Sequence, residues 1–384
     1  MIPLRVIDID FTFYGEVPKY ESLQITNELF GVGTIELKIN RYLNGADLLQ
    51  LDRIIFPLDR TDMPFQIQHR EIALDEKGKV TENWNIKAVP LKAWMNDRIT
   101  LPPLNKSTHD INSNAETVMK TFVDTNAVNP ADSLRKIPRL VVAPNKNRGL
   151  QIKRSTRFDI LSDELRTIGE LTKFGWTISL DIENKQFVFD IVEGIDRTAM
   201  QSNEPPVIFS TEFKTLESIE YSESKLDYKT TAIVAGQGEG TARKIVALNS
   251  HLSGLARKEL FVDARDVADT ETDSNGNEYN RPEVDIIADL TNRGNEKLEE
   301  HKQALFVNGQ ITNTVFKYGT DWFNGDRVTL QHNGWGIELD AQITQVKEIH
   351  EAGKAYAIEV VFDKDIPTFI DKLKRTLKQV ADKR

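Results

Sequence analysis

Alternation of apolar and polar residues with a period of two recurs at both ends of this 384-residue chain. Leu4–Ile9 and Gly33–Asn40 carry it near the start, and Arg327–Gln331, Gly336–Ile349 and Ala355–Phe362 carry it near the end. A strand with one buried face has that period, because successive side chains point to opposite sides of a pleated sheet. Asn333-Gly334 and Ala352-Gly353 separate the late runs and suit tight hairpin turns. Much of the molecule is therefore expected to be β structure.

The pattern changes along the chain and divides it. Residues 1–98 read as a first β domain, with a hairpin from Glu71–Leu74 and Trp84–Ala88 around an Asp75–Lys79 turn and a short helix near Asn44–Leu49. Residues 99–205 read as an α+β module. There Ser113-Asn114-Ala115-Glu116 has the form of a capping box, and Ala115, Val118, Met119, Phe122 and Val123 follow at helical spacing. A second helix is expected over Arg157–Lys173, with Leu161, Leu165, Ile168 and Leu171 on one stripe and Gly175 as its stop. Trp176–Asp181 and Gln186–Ile191 then alternate around a turn as a hairpin.

Strand-like runs return at Val207–Phe209, Leu216–Tyr221, Thr230–Val234 and Lys244–Leu248. Their expected partners lie downstream, at Thr312–Lys317 and beyond, so residues 206–247 and 306–362 are read as one β domain split by an insertion over 248–305. The insertion is a polar loop and then a helix with Ile287, Leu290, Gly294, Leu298, His301 and Leu305 on one stripe. Glycine inside a helix costs about 1 kcal/mol against alanine, so Gly294 points to close packing. Residues 363–384 read as an amphipathic helix, apolar at Phe369, Ile370, Leu373, Leu377 and Val380, which must dock somewhere, on a protein surface in preference to a membrane.

With 39% apolar and 28% charged residues the chain is globular, and its length asks for two to four cores. No run approaches the roughly eighteen apolar residues of a membrane span. Met1–Arg5 begins without a basic region and an apolar stretch, so no signal peptide is expected. The absence of cysteine excludes disulfides, thiolate metal sites and cysteine nucleophiles. A formal charge of −10 opposes tight binding of nucleic acid, which needs clustered Lys and Arg, yet a weakly acidic wall suits DNA that passes without sticking.

Each chemical motif has a simpler structural reading. Gly236, Gly238 and Gly240 resemble a phosphate loop, but the spacing is G-x-G-x-G and a strand-like run follows, so a hairpin or inter-domain turn fits better. Asp269, Glu271, Asp273, Asn275 and Gly276 suggest a calcium loop, but counting from Glu271 puts Pro282 where the bidentate carboxylate belongs, which leaves a solvated acidic loop. His69, His109, His251, His301, His332 and His350 show no paired metal spacing, and His301 fits a satisfied core or interface histidine. Glu164 and Glu170, weighed as a glycosidase pair, point to different faces of their helix. Ser253 beside Gly254 fits a turn rather than a nucleophile elbow. Asp196-Arg197-Thr198 reads as a side-chain-capped turn with Arg197 paired across domains. No catalytic, cofactor-binding or metal residues are assigned, and no cofactor is expected.

The order of several short motifs carries a resemblance. A strand is followed by Gly236-Gln237-Gly238-Glu239-Gly240, a basic strand and the segment Gly254–Asp266; Gly194–Thr198, Val207–Ser210, Arg293-Gly294 with Leu298, and Tyr318 with Gly325–Val328 keep the same order. The chain resembles the Gp37-like hub proteins of long-tailed phages, whose fold is similar to the central baseplate hub of contractile phages. The resemblance implies an α+β, β-rich fold with two similar β-barrel-like tube domains, an α+β module and a small helical insertion. It implies a structural virion protein rather than an enzyme, assembled in the host cytoplasm into the tail tip. A homotrimer presenting six β domains would cap a six-fold tube. Its expected partners are its own copies, distal tail and tail tube proteins, and a downstream spike, fibre or lysin component; DNA would transit without specific binding. The rival reading is a host-surface glycan-binding or peptidoglycan-degrading protein, with aromatics around Tyr318–Phe323 stacked on sugar.

Overall fold

The computed structural model describes residues 2–74, 78, 81–272 and 277–362, with backbone alone at 272 and 304–306. Its described residues fall into two compact units: one holds residues 2–218, 272, 277 and 310–360, the other 219–271, 278–309 and 361–362.

The first unit begins with seven strands: β1 (Leu4–Ile7), β2 (Phe13–Val17), β3 (Ser22–Glu28), β4 (Thr34–Asn40), β5 (Ile54–Pro57), β6 (Phe65–Glu71) and β7 (Asn83–Pro90). In β4 the expected alternation is complete: Ile35, Leu37 and Ile39 are buried while Thr34, Glu36 and Lys38 face solvent. These side chains meet Leu23, Ile25, Phe65 and Ile67 in one core. The expected hairpin is present, but its first strand is β6 rather than Glu71–Leu74. The burial of Phe65 and Ile67 holds that strand in register, whereas Leu74 is 60% exposed. The Asp75–Lys79 turn lies outside the described residues except for Gly78. The short helix near Asn44–Leu49 is a single 3-10 turn, Ala46–Leu48.

The α+β module follows, with β8 (His109–Asn114), α1 (Ala115–Val123), β9 (Leu140–Val142), β10 (Gln151–Thr156), α2 (Leu161–Thr172), β11 (Gly175–Asp181) and β12 (Gln186–Val192). The N-cap of α1 is Asn114, whose side chain accepts from the Thr117 amide at 2.9 Å, so the cap lies one residue later than a Ser113 capping box would have it. Ser113 lies within β8, paired with Ile152, and Asn114, paired with Gln151, is the last strand residue before the helix. Val118, Met119 and Phe122 of α1 and Leu161, Leu165 and Ile168 of α2 pack on Trp176, Ile178, Phe187 and Phe189. The stop of α2 is Lys173 at φ 63°, not Gly175, which already opens β11. The same core takes in Ile7, Ile54, Phe56 and Trp94, so apolar packing continues across residue 98.

After β13 (Ile208–Ser210), the chain enters the second unit within β14 (Leu216–Ser224) and leaves it within β20 (Ala304–Ile311). Between them run β15 (Thr231–Ala235), β16 (Ile245–Leu248), β17 (Glu259–Asp263), β18 (Thr270–Thr272), β19 (Glu278–Asn280) and α3 (Glu283–Glu300). The strands β15 and β16, expected to join the downstream β domain, instead form an antiparallel hairpin, and β17 adds parallel to β15. The reason is packing: Ala232, Val234 and Val262 present an apolar face that Ile286 and Leu290 of α3 cover. Gly294 is needed there, since a Cβ would lie 2.5 Å from Leu248 Cδ1 and 2.6 Å from Val234 Cγ2. The helix ends at Glu300, and Leu305 belongs to β20 rather than to the helical stripe. Thr312–Lys317, read as a strand, is irregular; the Asn313 side chain accepts from the Tyr318 amide and that of Asp321 from the Lys317 amide.

The chain returns to the first unit with β21 (Arg327–His332), β22 (Ile337–Glu351) and β23 (Ala357–Phe362). Two ladders share the 15-residue β22: its first half pairs with β21, and Gln345–Glu351 pairs with β3. Strands from both ends of the sequence thus join in the order β23-β22-β3-β4-β7-β6-β5-β1-β2, and the path does not close into a barrel among the described residues. The expected amphipathic helix over 363–384 lies outside the described residues. Among the described residues no helix is long and apolar enough to cross a membrane.

Candidate functional site

Two motifs that sequence order linked only loosely lie against each other. The Gly194–Thr198 segment runs beside Gly325–Val328: the Arg197 amide donates to the Arg327 carbonyl at 2.8 Å and the Arg327 amide to that of Ile195 at 2.9 Å. The Asp326 carboxylate accepts from the Ile195 amide at 2.8 Å, the Phe323 amide at 2.9 Å and Arg197 Nε at 2.9 Å. Asp196 caps its own turn by accepting from the Thr198 amide at 3.0 Å, and this hydrogen bond holds its carboxyl below the ordinary range. The backbones meet so closely that a Cβ on Gly194 would lie 1.7 Å from the Gly325 carbonyl oxygen. The capped turn expected for Asp196-Arg197-Thr198 is present, and Arg197 pairs with Asp326 within one compact unit rather than across two. Arg197 and Asp326 are both buried and satisfied, which makes this a structural clasp.

Beside the clasp a cavity of about 800 Å³ opens among Leu29, Met63, Trp176 and Phe323. On its wall Arg60 Nη1 donates to Glu348 Oε1 at 2.6 Å, and the Tyr356 hydroxyl donates to Glu348 Oε2 at 2.8 Å. His350 stacks on Tyr356 with centroids 4.6 Å apart, its Nε2 3.8 Å from Glu348. Burial pushes the Glu348 carboxyl up, but the adjacent His350 ring, the Arg60 charge and Tyr356 together hold it below the ordinary range. Burial and the Glu348 charge push the Tyr356 phenol far up, so it stays a donor. Neither residue is set up to exchange protons near neutrality.

The other singled-out residues are held structurally. Glu164 accepts two bonds from Arg154, at 2.8 Å and 3.0 Å, in a buried bidentate pair that commits its carboxylate to that partner. Trp322 is fully buried edge-on to Phe209, so the Tyr318–Phe323 segment offers no indole for sugar to stack on. The three glycines after β15 form the hairpin turn into β16, with Arg243 donating to the Gly236 carbonyl at 2.7 Å. His301 is buried with Nδ1 3.0 Å from the Asp227 carboxylate, the satisfied histidine that its position on the stripe implied. Gly254 starts a 3-10 turn directly after Ser253. Of the acidic loop, residues 273–276 lie outside the described residues; among the described residues no three His, Asp or Glu side chains converge as metal ligands.

Sequence reading missed two buried centres. Glu116, fully buried in α1, accepts from Lys120 Nζ at 2.7 Å, from Arg148 Nε at 2.9 Å and from the Arg148 amide at 3.0 Å. Its signal was a Glu and a Lys four apart on the helical face that also carries Met119 and Val123. Lys92 is 5% exposed and donates to the Glu28 carbonyl at 2.5 Å; burial lowers its ammonium to about 7. Nothing local in Pro90-Leu91-Lys92-Ala93 marks it.

Three solved structures share the fold at low sequence identity. The 43 kDa tail protein of prophage MuSo2 from Shewanella oneidensis matches with TM-score 0.55 and 11% identity over 94% of this chain and 98% of its own. A tail protein from Neisseria meningitidis MC58 matches with TM-score 0.54 and 11% identity over 95% and 96%. Prophage tail protein gp18 from Listeria monocytogenes EGD-e matches with TM-score 0.50 and 13% identity over 98% and 100%. No curated protein matches the sequence significantly. A family model does, across residues 3–362, and with it the chain belongs to the siphovirus ReqiPepy6 Gp37-like protein family.

Proposed function

We propose that this protein is the central hub of a phage tail tip, a homotrimer that caps the tail tube and adapts six-fold to three-fold symmetry. Membership of a phage tail family and the tail-protein fold make it a structural virion component. The observation that carries the finer reading is β22, whose two halves pair with β21 and with β3 and tie the early and late strands into one rigid sheet. A ring subunit needs that rigidity, because a hub works by holding shape. In this proposal the strands of residues 1–98 and those of the first unit after residue 206 act as two related tube-building blocks, so three chains present six.

Partners follow from the same reading: other copies of the chain, the distal tail and tube rings, and a downstream spike, fibre or lysin component. DNA would pass the acidic subunit without specific contacts. No catalytic step is assigned. Quantitative mass spectrometry of purified tails tests the proposal directly. Three copies per tail are expected, and six copies or one would overturn the hub assignment. Superposing the two strand blocks on each other is a second test, and failure to match would remove the symmetry argument.

A further inference from the structure

We propose that residues 363–384 fold back as an amphipathic helix on the second unit and cover the face of its three-stranded sheet that α3 leaves open. Side chains alternate across a strand, and Ala232, Val234 and Val262 face α3. Ile233 and Ala235 of β15 therefore point the other way. Beside them on that far side stand Phe261 of β17, opposite Ile233, and Ala247 and Ile245 of β16, opposite Ile233 and Ala235. Ile245 is 62% and Phe261 54% exposed, although Arg243 lies over the Phe261 ring at 5.9 Å.

Scattered apolar residues on a surface need no explanation, but these lie side by side on one sheet face. β15 and β17 are also parallel, and parallel strands are ordinarily covered on both sides. A helix on each face is the layered arrangement that meets this demand.

The point where the described chain stops selects the occupant. Val361 and Phe362, its last described residues, belong to this unit, and Phe362 is fully buried, so the continuation starts from a fixed point within it. From Phe362 to Pro367 an extended chain reaches at most roughly 17 Å, which confines a helix beginning there to nearby surface. Pro367 suits a first helical turn, and Phe369, Ile370, Leu373, Leu377 and Val380 form one stripe. Over Pro367–Val380 such a helix is about 21 Å long. That is enough to span the five-residue strands β15 and β17, each about 16 Å long. Arg375 and Lys378, on the opposite side of the helix, then stay in water. The proposal holds for any number of copies per tail.

The chain contains no cysteine, so Arg375→Cys, on the polar side of the proposed helix, gives a single site for a nitroxide. In the full chain, paramagnetic broadening is expected to remove the methyl signals of Ile233 and Ile245, while that of Ile287, in α3 across the sheet, is largely kept. Leu373→Asp together with Leu377→Asp should restore the Ile233 and Ile245 signals, and without the nitroxide this double variant should show faster amide exchange in β16 and β17. Equal broadening of all three methyls, no broadening, or persistence of the effect in the double variant would each overturn the assignment. A mixture of nitroxide-labelled chains with isotope-labelled, nitroxide-free copies tests the other occupant. Broadening in that mixture would place the segment on a second copy and overturn docking within the chain.

Discussion

Glu116 shows how a single buried charge is kept. Its carboxylate has no exposed surface and is enclosed by Lys120 and Arg148, with Lys120 Nζ also 2.8 Å from Asp190. Burial opposes its charge, but the bonds from Arg148 and Lys120 outweigh that and hold the carboxyl far below the ordinary value of 4.5. Glu116→Gln would leave two cations short of their counter-charge, so unfolding in urea should show a loss of about 3–5 kcal/mol. A carboxyl depressed in the folded state stabilises fully above its unfolded value and loses that contribution as pH falls through the lower one. Stability of the native chain should therefore drop below about pH 4.5, and the Gln variant should lack this part of the drop. At Gly194 the constraint is space, and Gly194→Ala should cost about 3 kcal/mol in the same measurement, because the Cβ meets backbone that cannot swing aside.

At the scale of elements, Lys92 ties separate strands together. From the 3-10 turn Leu91–Asp97 it donates to the Glu28 carbonyl at the end of β3 and, at 3.4 Å, to the Trp176 carbonyl in β11. Its ammonium is lowered by burial to about 7, against 10.5 when exposed. Between these values the unfolded chain binds a proton that the folded chain releases, so folding stability rises with pH across the window by up to about 1.4 kcal/mol per unit. Lys92→Met should flatten that slope in denaturant titrations at pH 7.5, 8.5 and 9.5, whatever it does to absolute stability. The helix termini were only partly legible. The face of α1 was readable from Val118, Met119 and Phe122, but whether Ser113 or Asn114 caps it depends on where β8 gives way to helix, which the β8–β10 ladder sets at the Asn114–Gln151 pair.

For the whole molecule, two units each with its own core imply separable stability. The core of the second is a three-stranded sheet under one helix, and it is the smaller. Gly294→Val forces a branched side chain against Leu248 and Val234, so amide exchange should quicken in β15, β16 and α3 while the β3–β4 ladder stays protected. Equal acceleration in both places would show that the units unfold as one. The periodicities alone determined that the chain is β-rich, which faces of its strands and helices are apolar, and that Gly294 packs closely, because side-chain direction repeats within an element. Which strands pair was decided only in three dimensions. β15 and β16 are short apolar runs that read as strands as β21 and β22 do, yet they close on β17 beneath α3, whereas β22 reaches back more than three hundred residues to β3. Local pattern sets what a strand must bury, and only competition among all exposed edges and apolar faces settles which partner buries it.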